Sequence, residues 1–474
     1  MATDPTPSGT APATPTPAAP APSPDAPASG RRGQRVQIFQ VSTLYGAATV
    51  AAALDSGRFG TRGDARRVLL VSHNAEIPET ALRLDAMTGY DRIAARFDTT
   101  VEWNEAIHPH HPGSWAPRPE ETPLWQRVLR TAWDLGDGPV ELIVESIQAN
   151  PAKALAAVFA ESTVQLYADG LMSYGPTRDE LPQSIGCRVR RLLHLDLVPG
   201  LRPLLLAEYG VEPEIVPDSA FRAVLAEIAG AAEGDPHVAA AVEAAPTAVL
   251  LGQYLAVLGI LTADEEEDLH ARMVRGAAAA GHRSVIFKPH PTAPARYSRA
   301  LREAAEAVGV RLTVLDGPLL AETFYARCRP RLVVGCFSTA MLTASVYYGV
   351  PIARVGTGTV LERLQPYENS NRVPLTLVDH LVPDLESGAG PAVPGAAPDT
   401  LESLVRAVGY CMQPKLHPGL RAEAVALLDG LRPDDPLARY VDRDRLTELG
   451  LPGGDAGRSL SRPRRLRRRP TGRS

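Results

Sequence analysis

Residues 331–340 read Arg331-Leu332-Val333-Val334-Gly335-Cys336-Phe337-Ser338-Thr339-Ala340. A β-branched run closes on glycine, and three residues later Ser-Thr opens a helical pattern that continues to Tyr348. A buried strand that turns straight into a helix is the repeating unit of a parallel sheet covered on both faces. Working outward, the same kind of run recurs at Val36–Val41, Arg67–Ser72, Glu141–Glu145, Thr163–Tyr167, Ala248–Gly252, Ser284–Lys288 and Arg311–Leu315. Helical patterns alternate with these runs at Thr43–Leu54, Pro123–Trp133, Ala152–Ala160, Asp264–Ala280, Ala295–Val308, Leu320–Arg327 and Leu401–Tyr410. The alternation predicts an α/β protein. It breaks once, at Ala231–Pro246, where Gly, Asp and Pro interrupt an Ala-rich stretch. We therefore expect two α/β halves, 35–240 and 245–445, joined by a linker. Ligands of such sheets bind beyond the carboxyl ends of the strands.

Composition bounds the rest. With 474 residues the chain has length for two or three domains with ample core. The first thirty residues hold nine Pro and eight Ala, too little apolar surface to offset ordering, so 1–34 reads as a disordered lead rather than a signal peptide. The end, 451–474, reads as a disordered Arg-rich tail. Residues 458–474 contain eight Arg and no acid, and taking them from the net charge of −5 leaves −13 on the remainder. An acidic body argues against nucleic acid as the partner. The tail is a candidate for peripheral contact with anionic lipid, or simply a solvated end. No run of about 18 apolar residues is present, so no transmembrane helix is expected. Four cysteines without CxxC pairing (Cys187, Cys328, Cys336, Cys411) suit reduced thiols in a cytoplasmic protein, and the tail makes the inner face of the membrane a candidate location.

The chemistry is sought at the strand ends. Leu166-Tyr167-Ala168-Asp169-Gly170 puts one carboxylate at the lip of the first sheet, with Gly170 allowing a sharp turn; Asp-Gly is also a common plain turn. Phe287-Lys288-Pro289-His290-Pro291 ends a strand of the second half in a histidine framed by prolines, with the Lys288 charge two residues earlier. Ser338 and Thr339, just past Gly335, open a helix whose amides and hydroxyls suit an anion, or serve as ordinary caps. Glu322 falls in the first turn of another helix. Gln40-Val41-Ser42-Thr43-Leu44-Tyr45-Gly46 is a polar turn that faces the same cleft from the first half, bringing Ser42 and Tyr45 to the acceptor side. No GxGxxG or Walker A loop occurs. One acid from the first half and His, Ser/Thr and Glu from the second suit a hydroxyl deprotonated by one half while the other holds a nucleotide leaving group.

These residues resemble the bacterial sialyltransferases, in particular the capsular polysialyltransferases. That family has an acidic-acidic-Gly motif, a His-Pro motif and a Ser-Ser/Thr motif in this order. They correspond here to Ala168-Asp169-Gly170, His290-Pro291 and Ser338-Thr339, spaced by 121 and 48 residues. The longer strings Leu-Tyr-Ala-Asp-Gly-Leu-Met-Ser-Tyr-Gly and Phe-Lys-Pro-His-Pro are similar too, and the resemblance extends over about Arg35 to Leu381. It departs at Ala168, where the family has an acid. The resemblance implies a GT-B fold: two Rossmann-like domains, the first for the acceptor and the second for the donor. It further implies inverting, metal-independent transfer of sialic acid from CMP-sialic acid to a glycan hydroxyl, polymerising or single, with no cofactor. Asp169 would be the general base and His290 would stabilise or protonate the departing phosphate. Ser338 and Thr339 would hold that phosphate, and Glu322 matches a region that contacts cytidine. Gly335 and Lys288 join this donor side.

Other readings stay open at this point. The same residues suit a GT-B enzyme using another nucleotide sugar, or a glycan- or nucleotide-binding protein of the same fold without turnover. His108, His110 and His111 lie within four positions but lack a metal-ligand spacing, so no metal is expected; Trp103 and Trp115 beside them are expected to stack on sugar rings. Glu145, at the end of its run, is a candidate for lining the acceptor cleft.

Overall fold

The computed structural model describes residues 33–75, 77–78, 82–290, 298–432 and 434–455. The Pro/Ala lead up to residue 32, the Arg-rich tail from 456 and Pro291 of the His-Pro pair lie outside them. Seven strands form the first sheet: β1 (Val36–Val41), β2 (Arg66–Val71), β3 (Thr99–Glu102), β4 (Val140–Val144), β5 (Thr163–Ala168), β6 (Val189–His194) and β7 (Pro213–Ile215). Their order is β3-β2-β1-β4-β5-β6-β7. Five more form the second: β8 (Ala248–Leu251), β9 (Ser284–Lys288), β10 (Arg311–Val314), β11 (Leu332–Gly335) and β12 (Ile352–Arg354), in the order β10-β9-β8-β11-β12. Every ladder in both sheets is parallel.

The eight strands expected from sequence are all present, with ends within one residue. β1 shows why: it lies mid-sheet and all six of its residues are buried, so its sequence must be nearly all apolar. Its two glutamines are buried with their side-chain amides hydrogen-bonded. Gln37 Nε2 donates to Glu141 Oε2 at 2.9 Å, and Gln40 Nε2 donates to Ser72 Oγ at 3.1 Å.

In each sheet the order reverses beside the first strand, opening a crevice at the carboxyl ends of β1 and β4 and of β8 and β11. The two sets of ends face each other. Tyr45 Oη, on the helix that follows β1, lies 2.8 Å from Thr343 Oγ1, on the helix that follows β11. Two parallel, doubly wound sheets with their strand ends opposed constitute the GT-B plan.

The expected linker is overturned in part. Pro236–Ala244 is a helix, capped by Asp235, whose side chain accepts from His237 N at 2.8 Å, with Pro236 in the first turn. Gly-Asp-Pro there is helix-start chemistry rather than a break. This helix and the preceding one, Asp218–Ala231, both pack against Ala321–Cys328 of the second half. One hydrophobic cluster accordingly runs from Phe39 and Val41 through Phe221 to Val249, Phe287 and Phe324.

A separate core covers the far face of the first sheet, and it corrects a second expectation. Trp103 is fully buried and Trp115 nearly so, packed edge to face with centroids 5.5 Å apart. Their rings are core, not a sugar platform. In the neighbouring loop the His111 ring is engaged by Ala75 O at 2.9 Å and Gly113 N at 3.1 Å. Among the described residues no group of three or more His, Cys, Asp or Glu is gathered as for a metal, and no helix is long and apolar enough to cross a membrane.

Candidate active site

Three adjacent strands of the first sheet each deliver one polar residue immediately past their ends: Ser42 after β1, Glu145 after β4 and Asp169 after β5. Ser42 Oγ donates to Glu145 Oε2 at 2.5 Å, and Glu145 N donates to Gln40 Oε1 at 3.2 Å. Tyr167 Oη donates to Gln40 O at 3.1 Å, so the same glutamine fixes the ends of β4 and β5. Asp169 sits under the first turn of helix Leu44–Asp55. A β-carbon on Gly46 would stand 3.2 Å from Asp169 Oδ2 and 3.1 Å from both Thr43 Oγ1 and Tyr167 Oη, so the glycine lets the turn pass close to the carboxylate. Burial, and after it the Glu145 charge, lifts the Asp169 carboxyl to about 7. Burial raises Glu145 as well, opposed by its Ser42 hydrogen bond. Burial also holds the Tyr45 and Tyr167 phenols well above their usual range, so both stay neutral.

The second half answers from β8, β9 and β11. His290 lies two residues past β9, and the Tyr254 ring covers it with centroids 4.0 Å apart and planes tilted by 38°. Burial, then the neighbouring Lys288 charge, pushes the imidazole down to about 4, so it is neutral at pH 7. Lys288 is itself buried; its Nζ donates to Gly317 O at 3.1 Å. Desolvation lowers it to about 8, against the pull of Asp316 and Glu322. Glu322 is buried and lifted to about 7, with Lys288 opposing, and its Oε1 has no hydrogen-bond partner among the described residues. Gln253, just past β8, accepts from Phe337 N at 3.0 Å through Oε1 and so ties two strand-end loops together. Ser338 caps helix Thr339–Tyr348, accepting from Ala340 N at 3.3 Å. Gly335 admits that helix closely, since a β-carbon there would stand 2.7 Å from Met341 Sδ.

The sequence-predicted residues thus fall on two facing lips. Asp169, Gly170, Ser42 and Tyr45 belong to one, and Lys288, His290, Glu322, Gly335, Ser338 and Thr339 to the other. They touch where a β-carbon built on Gly170 would stand 3.0 Å from Thr339 Oγ1. The Tyr45 hydroxyl is engaged across the cleft by Thr343, and the Ser338 hydroxyl serves as a helix cap, the plain role the sequence also allowed it. Gln253, Tyr254 and Thr343 were not singled out by sequence. The first two follow the predicted strand Ala248–Gly252, where the same strand-end search would have found them.

No curated protein matches the chain. Among solved structures, it is similar to the GT-B domain of a sialyltransferase from Photobacterium damselae, with 11% identity and a TM-score of 0.37 over 73% of this chain and 96% of that one. It is also similar to a UDP-GlcNAc 2-epimerase from Methanocaldococcus jannaschii, with 12% identity and a TM-score of 0.41 over 79% and 99%. A UDP-glucosyltransferase from Polygonum tinctorium aligns with 11% identity and a TM-score of 0.39 over 87% and 97%. The sequence pattern of the alpha-2,8-polysialyltransferase (POLYST) family matches residues 37–357, from β1 past β12 and through every strand end described above. With most of its length matched, and both lips of the cleft inside the match, the chain belongs to the alpha-2,8-polysialyltransferase family of glycosyltransferases.

Proposed function

We propose that the protein transfers sialic acid from CMP-sialic acid to a hydroxyl of a glycan acceptor, in one inverting displacement that needs no metal or other cofactor. The observation that carries this reading is the opposition of Asp169-Gly170 to Thr339 across the cleft, within the region matched by the family.

In this reading Asp169, with its carboxyl near 7, takes the acceptor proton as the hydroxyl oxygen bonds to the anomeric carbon. The bond from that carbon to the CMP phosphate breaks, and its electron pair leaves on the phosphate oxygen. His290 is neutral at pH 7 before the donor arrives. The phosphate charge raises its proton affinity, so the ring takes up a proton from solvent as the donor binds, donates a hydrogen bond, and passes that proton to the leaving oxygen, returning to the neutral form. The first turn of helix Thr339–Tyr348 offers amides and the Thr339 hydroxyl to the same phosphate. Glu322 and Lys288 are read as contacts of the nucleoside. Cytoplasmic residence, and contact of the Arg-rich tail with anionic lipid, belong to this proposal too. Deleting residues 458–474 should then abolish sedimentation with anionic vesicles.

The test is CMP release from CMP-N-acetylneuraminic acid by the purified protein. Asp169→Asn and His290→Ala should each lower release by about two to four orders of magnitude. Wild-type release in both variants, or an absence of both release and CMP binding in the parent, overturns the reading.

A further inference from the structure

Asp169 is preceded by Ala168 and followed by Gly170, so its own strand brings one carboxylate to the lip. A second carboxylate is nevertheless present at the same lip, supplied by the adjacent strand. β4 and β5 are neighbours in register, Val144 opposite Leu166, and Glu145 and Asp169 are the residues that leave their respective strands. We propose that Glu145, delivered from β4, is a positioning residue for the transfer reaction and acts through Asp169. The inference rests on the reading of Asp169 as the base.

The geometry is built rather than incidental. Glu145 is held at its backbone by Gln40 Oε1 and at its carboxylate by Ser42 Oγ, both from β1 and its exit turn. The backbone carbonyl of Gln40 also accepts from the Tyr167 hydroxyl, so the strands that end in Glu145 and Asp169 are both tied to one residue. Burial favours the protonated Glu145 carboxyl, the Ser42 hydroxyl opposes it, and the ionised form of Glu145 raises Asp169. The other titratable groups facing Asp169 are Tyr45, from the helix after β1, and Tyr167, from its own strand; both remain neutral. From the second half it meets Thr339 beside Gly170, which does not titrate. Glu145 is therefore the charge, among the described residues, that makes Asp169 a stronger base than burial alone would. Two carboxyls coupled in this way titrate as a pair.

The experiment is the pH profile of CMP release from CMP-N-acetylneuraminic acid in wild type and Glu145→Gln. The amide can still accept from Ser42 but carries no charge. The acidic limb of kcat/KM should move down by about one pH unit, because Asp169 then binds its proton less tightly. An unmoved limb with a uniform loss of rate overturns the proposal and leaves Glu145 a packing residue. Should Glu145→Gln fail to fold, the infrared carboxyl titrations of the wild-type protein decide: Glu145 should ionise at lower pH than Asp169, and ionisation of Asp169 first overturns the proposal. That titration needs no donor, so failure of the CMP-sialic acid reading shows separately, as an absence of release in wild type.

Discussion

Gly170 and Thr339 belong to opposite halves of the molecule, yet a β-carbon on the first would stand 3.0 Å from Oγ1 of the second. The backbone does not demand glycine there, because Gly170 is extended at φ −143°. What demands it is the approach of the other lip. Gly170→Ala should therefore leave the melting temperature within about 2 °C while lowering kcat/KM at least about tenfold, since Thr339 must turn or the cleft must widen. Activity and thermal unfolding of the same preparation check this. An active Gly170→Ala protein would mean that the lips do not meet this closely during turnover.

The proton affinity of Asp169 fixes the pH response. A base must be ionised, and this carboxyl sits at about 7 instead of in the usual carboxylate range. Below that value kcat/KM should drop about tenfold per pH unit. An acidic limb near pH 4 to 5 would show that the site does not shelter Asp169 as described.

Glu322 gives the corresponding prediction for stability. Its folded carboxyl is at about 7, above its ordinary value, so the native state holds a proton that the unfolded chain releases. The resulting penalty is absent below the unfolded pKa and grows as pH rises toward 7. Glu322→Gln should thus melt higher than wild type at pH 8 and much like it at pH 5, while binding CMP more weakly. Calorimetric scans at the two pH values, with CMP titrations alongside, provide the test.

Tyr254 shields His290. Replacing it with alanine admits water to the imidazole, which should rise from about 4 toward its ordinary 6.5. Proton NMR of the histidine Cε1–H would follow that rise, and CMP release should fall about tenfold as the ring loses its platform.

How much of this was legible beforehand depended on what each segment could bury. β1, closed in on both faces, announces itself as Val-Gln-Ile-Phe-Gln-Val. β3 and β7 lie at sheet edges, so their sequences need not be apolar, and β12, though buried, is only three residues long. β6 carries Arg190 and Arg191 inside its run; Arg191 pairs with Glu214 of β7 at 3.1 Å, a partner no local pattern reveals. Asp169, His290 and Ser338 were legible because glycine, proline and a strand end frame each of them. Glu145 was visible only as one more carboxylate, because its meaning depends on β4 and β5 being neighbours. Trp103 and Trp115 misled for the opposite reason. A polar, proline-rich surrounding suggested an exposed loop, but that loop folds back onto the sheet and buries their rings.

The helices Asp218–Ala231 and Pro236–Ala244 have a consequence beyond the cleft. Both lean on Ala321–Cys328, and the apolar cluster crosses from one sheet to the other without interruption. Severing the chain near residue 245 would strip the helix that carries Glu322 of its cover and leave two sticky fragments instead of two modules. The halves should melt together in a single calorimetric peak. Exchange of one half for that of a distant relative would require the seam to be transplanted with it, so the two lips of the cleft are inherited together.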